Sequence, residues 1–196
     1  ERQEKAHAHY VSLTPDEKYL CAVDLGIDRV MVYQFNKEKG SLIPALNLSP
    51  KIRQGSGPRH MVFHNNGNFA YVINELSSDI AVFKYHSPDS SHNSPHNTSL
   101  DLSLDSLCGL SCNSSYNNGI FEEIQYISTL PEEYSNINYC SAIHVSSNGE
   151  YLYASNRGHD SIAIFKIDKI TGKLQLVSHT LTGGKFPRDF AIDPTG

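Results

Sequence analysis

The sequence lacks the features that mark several common classes of protein. It has no apolar run long enough to cross a bilayer, and no segment has the pattern of a signal peptide. Its formal net charge is −5 and its basic residues form no stripe, which disfavours nucleic-acid binding. No glycine-rich loop opens a helical pattern, so a Rossmann or P-loop nucleotide site is excluded. We therefore expect neither a nucleic-acid nor a membrane partner, and we take a cytoplasmic location as the default.

Cysteine is also scarce, with four residues in 196. Cys21 lies within a strand-like pattern and is predicted to be a small buried hydrophobic residue. Cys108 and Cys112 lie in a tract rich in Ser and Asn, where their spacing is a weak signal for a metal site or a disulfide. The sequence begins at Glu1 and ends at Gly196 inside a turn pattern, which we interpret as an internal piece of a longer chain.

What the sequence does contain is one strand–turn–strand unit in three copies. Residues 14–35, 64–85 and 146–167 align on their aromatic-rich strands. A set of equivalent positions precedes the first of these strands, and successive members are 50, 82 and 47 residues apart. The members of this set are His9, Arg59, Ser141 and Arg188.

The long middle interval is explained by residues 86–119, a low-complexity stretch dominated by Ser and Asn. Such a composition buries too little apolar surface to offset the entropy of ordering, so we predict a disordered insertion within one repeat. Without the insertion, the repeat period is 47–50 residues. Residues 1–196 are then interpreted as part of one domain.

The repeat predicts an all-β fold of the β-propeller type, with one four-stranded blade per repeat. The candidate strands are rich in Val, Ile, Tyr and Phe, and turns such as NNGN, SNGE and GIDR join them. A β-sandwich has a similar strand spacing, but the long regular period favours the propeller. The chain has room for somewhat under four blades.

Positions that break the repeat are the candidates for a functional site, because a scaffold repeats its core. One such position holds Leu25, Glu75 or Arg157, so two opposite charges replace an apolar residue. Strand ends in a propeller gather side chains from several blades at the channel or at one rim. The candidate set is His7, His9, Arg59, His60, Glu75, Arg157, His159 and Arg188.

These residue types suit an anionic substrate and proton transfer. Arginine binds phosphate or carboxylate through paired hydrogen bonds, although Arg59 and Arg188 both follow Pro and can equally hold blades together through salt bridges. Glu75 can act as an acid or base or can pair with an arginine, and a histidine can be a general base near neutral pH. His7 and His9 are spaced to face one side of a strand, but no third ligand accompanies them, so no metal or other cofactor is expected.

Several motifs occur in an order that resembles the seven-bladed propeller family of 6-phosphogluconolactonases, which also includes carboxymuconate-lactonizing enzymes. The motifs are HAHYVSLTPDEKYLCAVDLGIDRVMVY, GPRHMVFHNNGNFAYVINEL, ISTLPEEY, SAIHVSSNGEYLYASNRGHDSIAIF and TGGKFPRDFAIDPTG. The resemblance covers nearly the whole chain apart from residues 86–119. It implies a seven-bladed propeller and a catalytic set that falls on His9, Arg59, Glu75 and Arg157. His7, His60, His159 and Arg188 are further candidates for substrate binding.

Three functions are open at this point. The resemblance implies hydrolysis of a lactone, with 6-phosphogluconolactone of the pentose phosphate pathway as the first choice and a small anionic lactone as the partner. The second is lactonization or cycloisomerization of a carboxylated muconate by the same arginines and proton-transferring groups. The third is a non-enzymatic propeller that serves as a binding platform, because a fold does not fix a function. Opposite charges at one repeated position favour an enzyme.

Overall fold

The computed structural model describes residues 2–88 and 120–193. Within these ranges the chain forms twelve β-strands and one short 3₁₀ helix, Leu46–Leu48. The strands are β1 Ala8–Leu13, β2 Tyr19–Asp24, β3 Arg29–Asn36, β4 Ser41–Pro44, β5 Pro58–Phe63, β6 Phe69–Asn74, β7 Asp79–Tyr85, β8 Phe121–Ser128, β9 Tyr139–Val145, β10 Tyr151–Arg157, β11 Ser161–Ile167 and β12 Leu174–Leu181. No helix in the described ranges has the length and apolar character needed to span a membrane.

The strands build three antiparallel four-stranded sheets in the order of the sequence. β1–β4 form the first blade, β5–β8 the second and β9–β12 the third. β5 lies against both β1 and β9, so the first strands of the three blades are neighbours. This arrangement confirms the prediction of an all-β fold with one four-stranded blade per repeat.

The hydrophobic core lies between the blades, because alternate side chains of a strand face opposite sides of its sheet. All six residues of β6 are buried, since the second blade has a neighbour on each side. Ala70 and Val72 pack in a cluster with Val23 of the first blade. Tyr71 packs in a second cluster with Leu152 of the third blade. The blades therefore stabilise one another face to face.

Cys21 belongs to the first of these clusters and is fully buried, as predicted. Burial, followed by the charge of Asp16, raises the pKa of its thiol to about 12. The Cys21 thiol is therefore protonated at neutral pH and acts as a small hydrophobic group. Cys108 and Cys112 lie outside the described residues.

One end of every blade carries the same turn between its first two strands. In each turn the amide of the first residue donates to the carbonyl five positions later, at 2.9, 2.9 and 2.8 Å in the three blades. Each turn also places one residue in the left-handed region, with φ of 56°, 74° and 69° at Glu17, Gly67 and Gly149. Glycine adopts a positive φ without steric cost, so Gly67 and Gly149 suit this position, whereas Glu17 adopts it without that freedom.

The predicted insertion, residues 86–119, falls between β7 and β8 of the second blade, and its residues 89–119 lie outside the described ranges. At its flanks the His86 amide donates to the Ile120 carbonyl at 2.8 Å, so the pairing of the two strands continues beyond them. Both strands lie on the side of the sheet away from β5. After β12, residues 182–193 form no strand, which leaves three complete blades and the start of a fourth unit.

Candidate active site

A β-bulge or register shift recurs in the first strand of each blade, at the repeated position that precedes the aligned units. His9 in β1 and Arg59 in β5 are the residues at which the pairing register shifts. In β9 the shift spans Ser141, the equivalent residue. A bulge turns a side chain away from the regular alternation of a strand. The repeat therefore supplies one specially directed side chain per blade.

The turns that follow β2, β6 and β10 also share one backbone feature. Each ends on a residue in the left-handed region, with φ of 53°, 55° and 57° at Asp28, Ser78 and Asp160. The residues that break the repeat lie where the strands meet these turns, with Arg157 as the last residue of β10, and all of them are buried: Leu25, Glu75 and Arg157. The blades thus present three different side chains on one repeated backbone.

Glu75 is the centre of a buried ionic cluster. Its side chain is 3% exposed, and Oε2 lies 3.0 Å from Arg59 Nε and 2.6 Å from Arg157 Nη2. The other carboxylate oxygen, Oε1, accepts from Arg2 Nη1. The Glu75 amide donates to the Gly57 carbonyl at 2.7 Å, which ties the turn to the segment before β5. Pairing with three guanidinium groups compensates for burying the carboxylate.

A cavity of about 270 Å³ opens beside this cluster. It brings together most of the candidate residues from different parts of the chain. Its lining consists of Arg2, His7, His9, Leu25, Glu75, Arg157 and Arg188. Arg59 is buried, pairs with Glu75 and does not line the cavity.

His60 and His159, predicted to bind substrate, are not among the lining residues. The His60 ring lies 4.9 Å from the ring of Tyr10, and its Nε2 is 2.8 Å from Arg59 Nη1. The His159 ring packs edge-on against Tyr134, with centroids 4.8 Å apart. Its Nδ1 lies 2.7 Å from Ser161 Oγ. Both rings therefore have neighbours that hold them outside the cavity wall.

His9 is the lining histidine whose electrostatic surroundings differ most clearly from those of a free side chain. Partial desolvation against the cavity wall, followed by the charge of Arg59, lowers its pKa below the ordinary 6.5, although Glu75 acts in the opposite sense. Burial and then Arg59 lower the pKa of the neighbouring His60 further, to about 4. Near neutral pH both rings are therefore neutral, and a neutral imidazole can accept a proton.

The interpretation of Arg188 as a salt bridge between blades is not supported. Arg188 is exposed at the cavity, and its side chain forms no ion pair with any residue in 2–88 or 120–193. Its main chain is fixed instead, because Ser141 Oγ donates to the Arg188 carbonyl at 2.5 Å. Arg59, in contrast, does bridge blades, since its Nη1 donates to the Ser141 carbonyl at 3.1 Å.

Arg2 is the cavity residue that sequence reasoning missed. It precedes the first repeated unit, so the comparison of repeats gives it no equivalent position. Its guanidinium lies over the ring of Tyr139, 4.3 Å from the centroid, while it pairs with Glu75. The arginine is thus brought from the start of the chain to the junction of the second and third blades.

The described residues contain no group of three or more His, Cys, Asp or Glu side chains arranged to hold a metal ion. His7 and His9 both line the cavity, although His7 precedes β1 and the register shifts at His9, and the other side chains around them are mainly arginines. Guanidinium groups remain protonated and do not ligate cations. The arrangement therefore favours an anion with a neutral histidine beside it.

Comparison with known proteins places this geometry in a family. A model described as a lactonase, seven-bladed β-propeller, matches residues 1–101 and 110–196. The chain belongs to this lactonase propeller family. A protein named 6-phosphogluconolactonase from Bacillus subtilis is 37% identical over 195 residues, which is all of this chain and 46% of the relative. An uncharacterized protein of Staphylococcus aureus is 38% identical over 192 residues, or 98% of this chain and 46% of the relative.

Solved structures agree with this assignment. The periplasmic gluconolactonase of Pseudomonas aeruginosa superposes with a TM-score of 0.80 and 31% identity, covering all of this chain and 46% of that one. A protein from Lactobacillus plantarum superposes with a TM-score of 0.76 and 34% identity, covering 98% of this chain and 47% of that one. The chain thus spans about half the length of the relatives it matches.

Proposed function

We propose that the protein of which these blades are part hydrolyses a phosphorylated sugar lactone, with 6-phosphogluconolactone as the preferred substrate. The observation that carries this proposal is the cavity in which a neutral histidine faces an excess of guanidinium groups over carboxylates. Such a site suits a substrate with both an anionic group and a carbonyl open to attack by water. The name of the Bacillus subtilis relative supports the same substrate class.

In the proposed mechanism His9 is the general base. Neutral His9 takes a proton from a water molecule while the water oxygen attacks the lactone carbonyl carbon. The negative charge that develops on the carbonyl oxygen is stabilised by the guanidinium groups of the cavity. The ring C–O bond then breaks and the ring oxygen takes the proton back, which yields the open-chain hydroxy acid. Glu75 holds the arginines in place through its ion pairs.

The test is a substrate panel with the intact protein. It comprises 6-phosphogluconolactone, glucono-1,5-lactone and a carboxylated muconate, each compared with its uncatalysed reaction. We expect the largest acceleration for the phosphorylated lactone and its loss in His9→Gln. Turnover of the muconate alone would instead favour the lactonizing reaction, and an inert protein with a stable protein partner would favour a binding platform.

The cell compartment belongs to the proposal as well. A phosphorylated sugar lactone of the pentose phosphate pathway is a cytoplasmic metabolite, so we propose a cytoplasmic enzyme. One structural relative is named a periplasmic gluconolactonase, which makes the compartment a point to test. Fractionation with an antibody to the protein would decide between the two locations.

A further inference from the structure

The four arginines around Glu75 fall into two classes by burial. The side chains of Arg59 and Arg157 are 5% and 9% exposed, whereas that of Arg2 is 48% exposed. Arg188 is exposed as well. All four carry the same charge, but Arg59 does not line the cavity and Arg157 shows it little surface, whereas Arg2 and Arg188 offer a ligand much more of their side chains.

The buried arginines use their donors within the protein. Arg157 Nε donates to the Tyr139 carbonyl at 3.2 Å, and its Nη2 donates to the Cys140 carbonyl at 2.8 Å as well as pairing with Glu75. Arg59 directs Nη1 to the Ser141 carbonyl and Nε to Glu75. Rotating either side chain toward a ligand would leave buried carbonyls and the carboxylate without these partners.

The exposed arginines have fewer partners within the protein than the buried ones. Arg2 rests on Tyr139 and has one ion pair among the described residues, the contact with Glu75. Arg188 is held through its carbonyl by Ser141 Oγ, and its guanidinium has no ion pair with any residue of the described ranges. Both heads line the cavity. Such a guanidinium can donate to a phosphate in the cavity while Arg59 and Arg157 keep their contacts with Glu75.

The position of Arg2 is set by the residue next to it. Gln3 Nε2 donates to the Leu25 carbonyl at 3.0 Å and to Asp28 Oδ1 at 2.7 Å. Asp28 also accepts from the amides of Gly55 and Gly57, each at 2.7 Å. The start of the chain is therefore attached to the same loop that leads into β5. An arginine held in this way has lost part of its conformational freedom before a ligand arrives.

We propose that Arg2 and Arg188 bind the anionic group of the substrate and determine its preference for a phosphorylated lactone, while Arg59 and Arg157 hold Glu75. This inference rests on the proposed lactone substrate. It goes further because it assigns different roles to the four arginines, whereas the proposed mechanism treats the guanidinium groups of the cavity as one group. Gln3 is then a positioning residue for Arg2. Under this proposal Arg59 and Arg157, which belong to the predicted catalytic set, support Glu75 and do not bind the phosphate.

The test compares Arg2→Ala and Arg188→Ala with wild type in the intact protein on 6-phosphogluconolactone and glucono-1,5-lactone. Each variant should lower kcat/KM for the phosphorylated lactone by about ten- to hundredfold relative to the neutral one, mainly through KM, since each loses a hydrogen bond to a charged group. Arg53→Ala is the matched control. Arg53 also lies over a tyrosine, 3.7 Å from the Tyr126 centroid, and near a glutamate, but it does not line the cavity.

A parallel titration keeps the inference separate from the catalytic proposal. Calorimetric titration of wild type with 6-phosphogluconate should show binding that Arg2→Ala and Arg188→Ala weaken and that Gln3→Ala weakens less. If wild type binds this ligand but hydrolyses no lactone, the proposed function fails and the assignment of the arginines stands. If the variants lose both lactones equally, or if neither affinity nor KM changes, the assignment is overturned.

Discussion

Both ends of the blades repeat features of their backbone, but they differ in how far their side chains repeat. At one end the turns after β1, β5 and β9 repeat both their hydrogen bonds and their left-handed residue. At the other end the turns after β2, β6 and β10 repeat the left-handed residue, but leucine, glutamate and arginine lie where the strands meet them. The repeated backbone therefore forms the architecture, while a few unrepeated side chains provide the candidate chemistry.

The largest effect is expected from replacing the proposed general base, His9. His9→Gln removes the proposed general base but keeps a polar side chain at the bulge. We expect kcat to fall by about 10²- to 10⁴-fold, the usual contribution of a general base. Steady-state kinetics on 6-phosphogluconolactone measure it. His144→Gln is the control, because His144 also lies in a first strand but does not line the cavity. Equal losses in both variants would contradict the assignment.

Glu75→Leu gives the second blade the same residue that the first blade has at the equivalent position, Leu25. The change leaves three guanidinium groups without their carboxylate, two of them buried. Removing one partner from a buried ion pair costs about 3–5 kcal/mol, so we expect a loss of unfolding free energy of this size. Urea unfolding measures it. Glu123→Leu is the control, because Glu123 is an exposed glutamate 3.9 Å from Arg53, and it should change the free energy of unfolding little. A similar loss in this variant would mean that the burial of Glu75 is not the cause.

Gly26→Ala tests the turn after β2 in the first blade, which contains the apolar residue Leu25. A Cβ atom at Gly26 would lie 1.8 Å from the Lys5 carbonyl oxygen and 2.9 Å from the His7 amide nitrogen. The segment that carries Arg2 and His7 must therefore move, at a cost of about 1–3 kcal/mol. Relative to wild type, the fractional loss of activity should be larger than the fractional fall of the urea denaturation midpoint. Gly184→Ala, which meets no atom within 4 Å, should leave both unchanged.

The pH dependence of catalysis offers a finer comparison. Catalysis needs neutral His9, and its surroundings lower its pKa from the ordinary 6.5, so kcat/KM should fall as the pH drops through this lowered pKa. Arg188 is one of the charges that lower the pKa of His9. Arg188→Gln should therefore move the acidic limb of the profile toward higher pH, whereas Arg53→Gln should not. A limb that stays in place would exclude electrostatic contact between the two residues.

The smallest effect is expected from changes in the turns after β1, β5 and β9. Glu17 has φ of 56° where the other two blades have glycine. Glu17→Gly should relieve a strain of about 1–2 kcal/mol, less the small contribution of the exposed ion pair with Lys37. Thermal unfolding should show a modest net stabilisation. Gly149→Ala is the reverse change and should destabilise, since its Cβ would meet His64 Nε2 at 3.0 Å.

The repeat in the sequence predicted the blades because strand residues and turn glycines recur at one spacing, and spacing is visible without a structure. It also selected Glu75 and Arg157, since equivalent turns occupy equivalent places. It could not show which way each side chain points. His159 follows Arg157 by two residues, yet the turn directs its ring toward Tyr134. Nor could it find Arg2, whose place depends on a hydrogen bond between Gln3 and Asp28 that no local pattern encodes.

The bulge at His9 and Arg59 has a consequence for how such proteins diversify. Because the register shift belongs to the strand pairing and not to any one side chain, duplication of a blade also duplicates an inward-facing position. The residue at that position decides its role: His9 lines the cavity, Arg59 bridges two blades and Ser141 holds the Arg188 carbonyl. Histidine, arginine and serine already occupy it in three neighbouring blades, so one architecture can acquire new substrates through isolated substitutions.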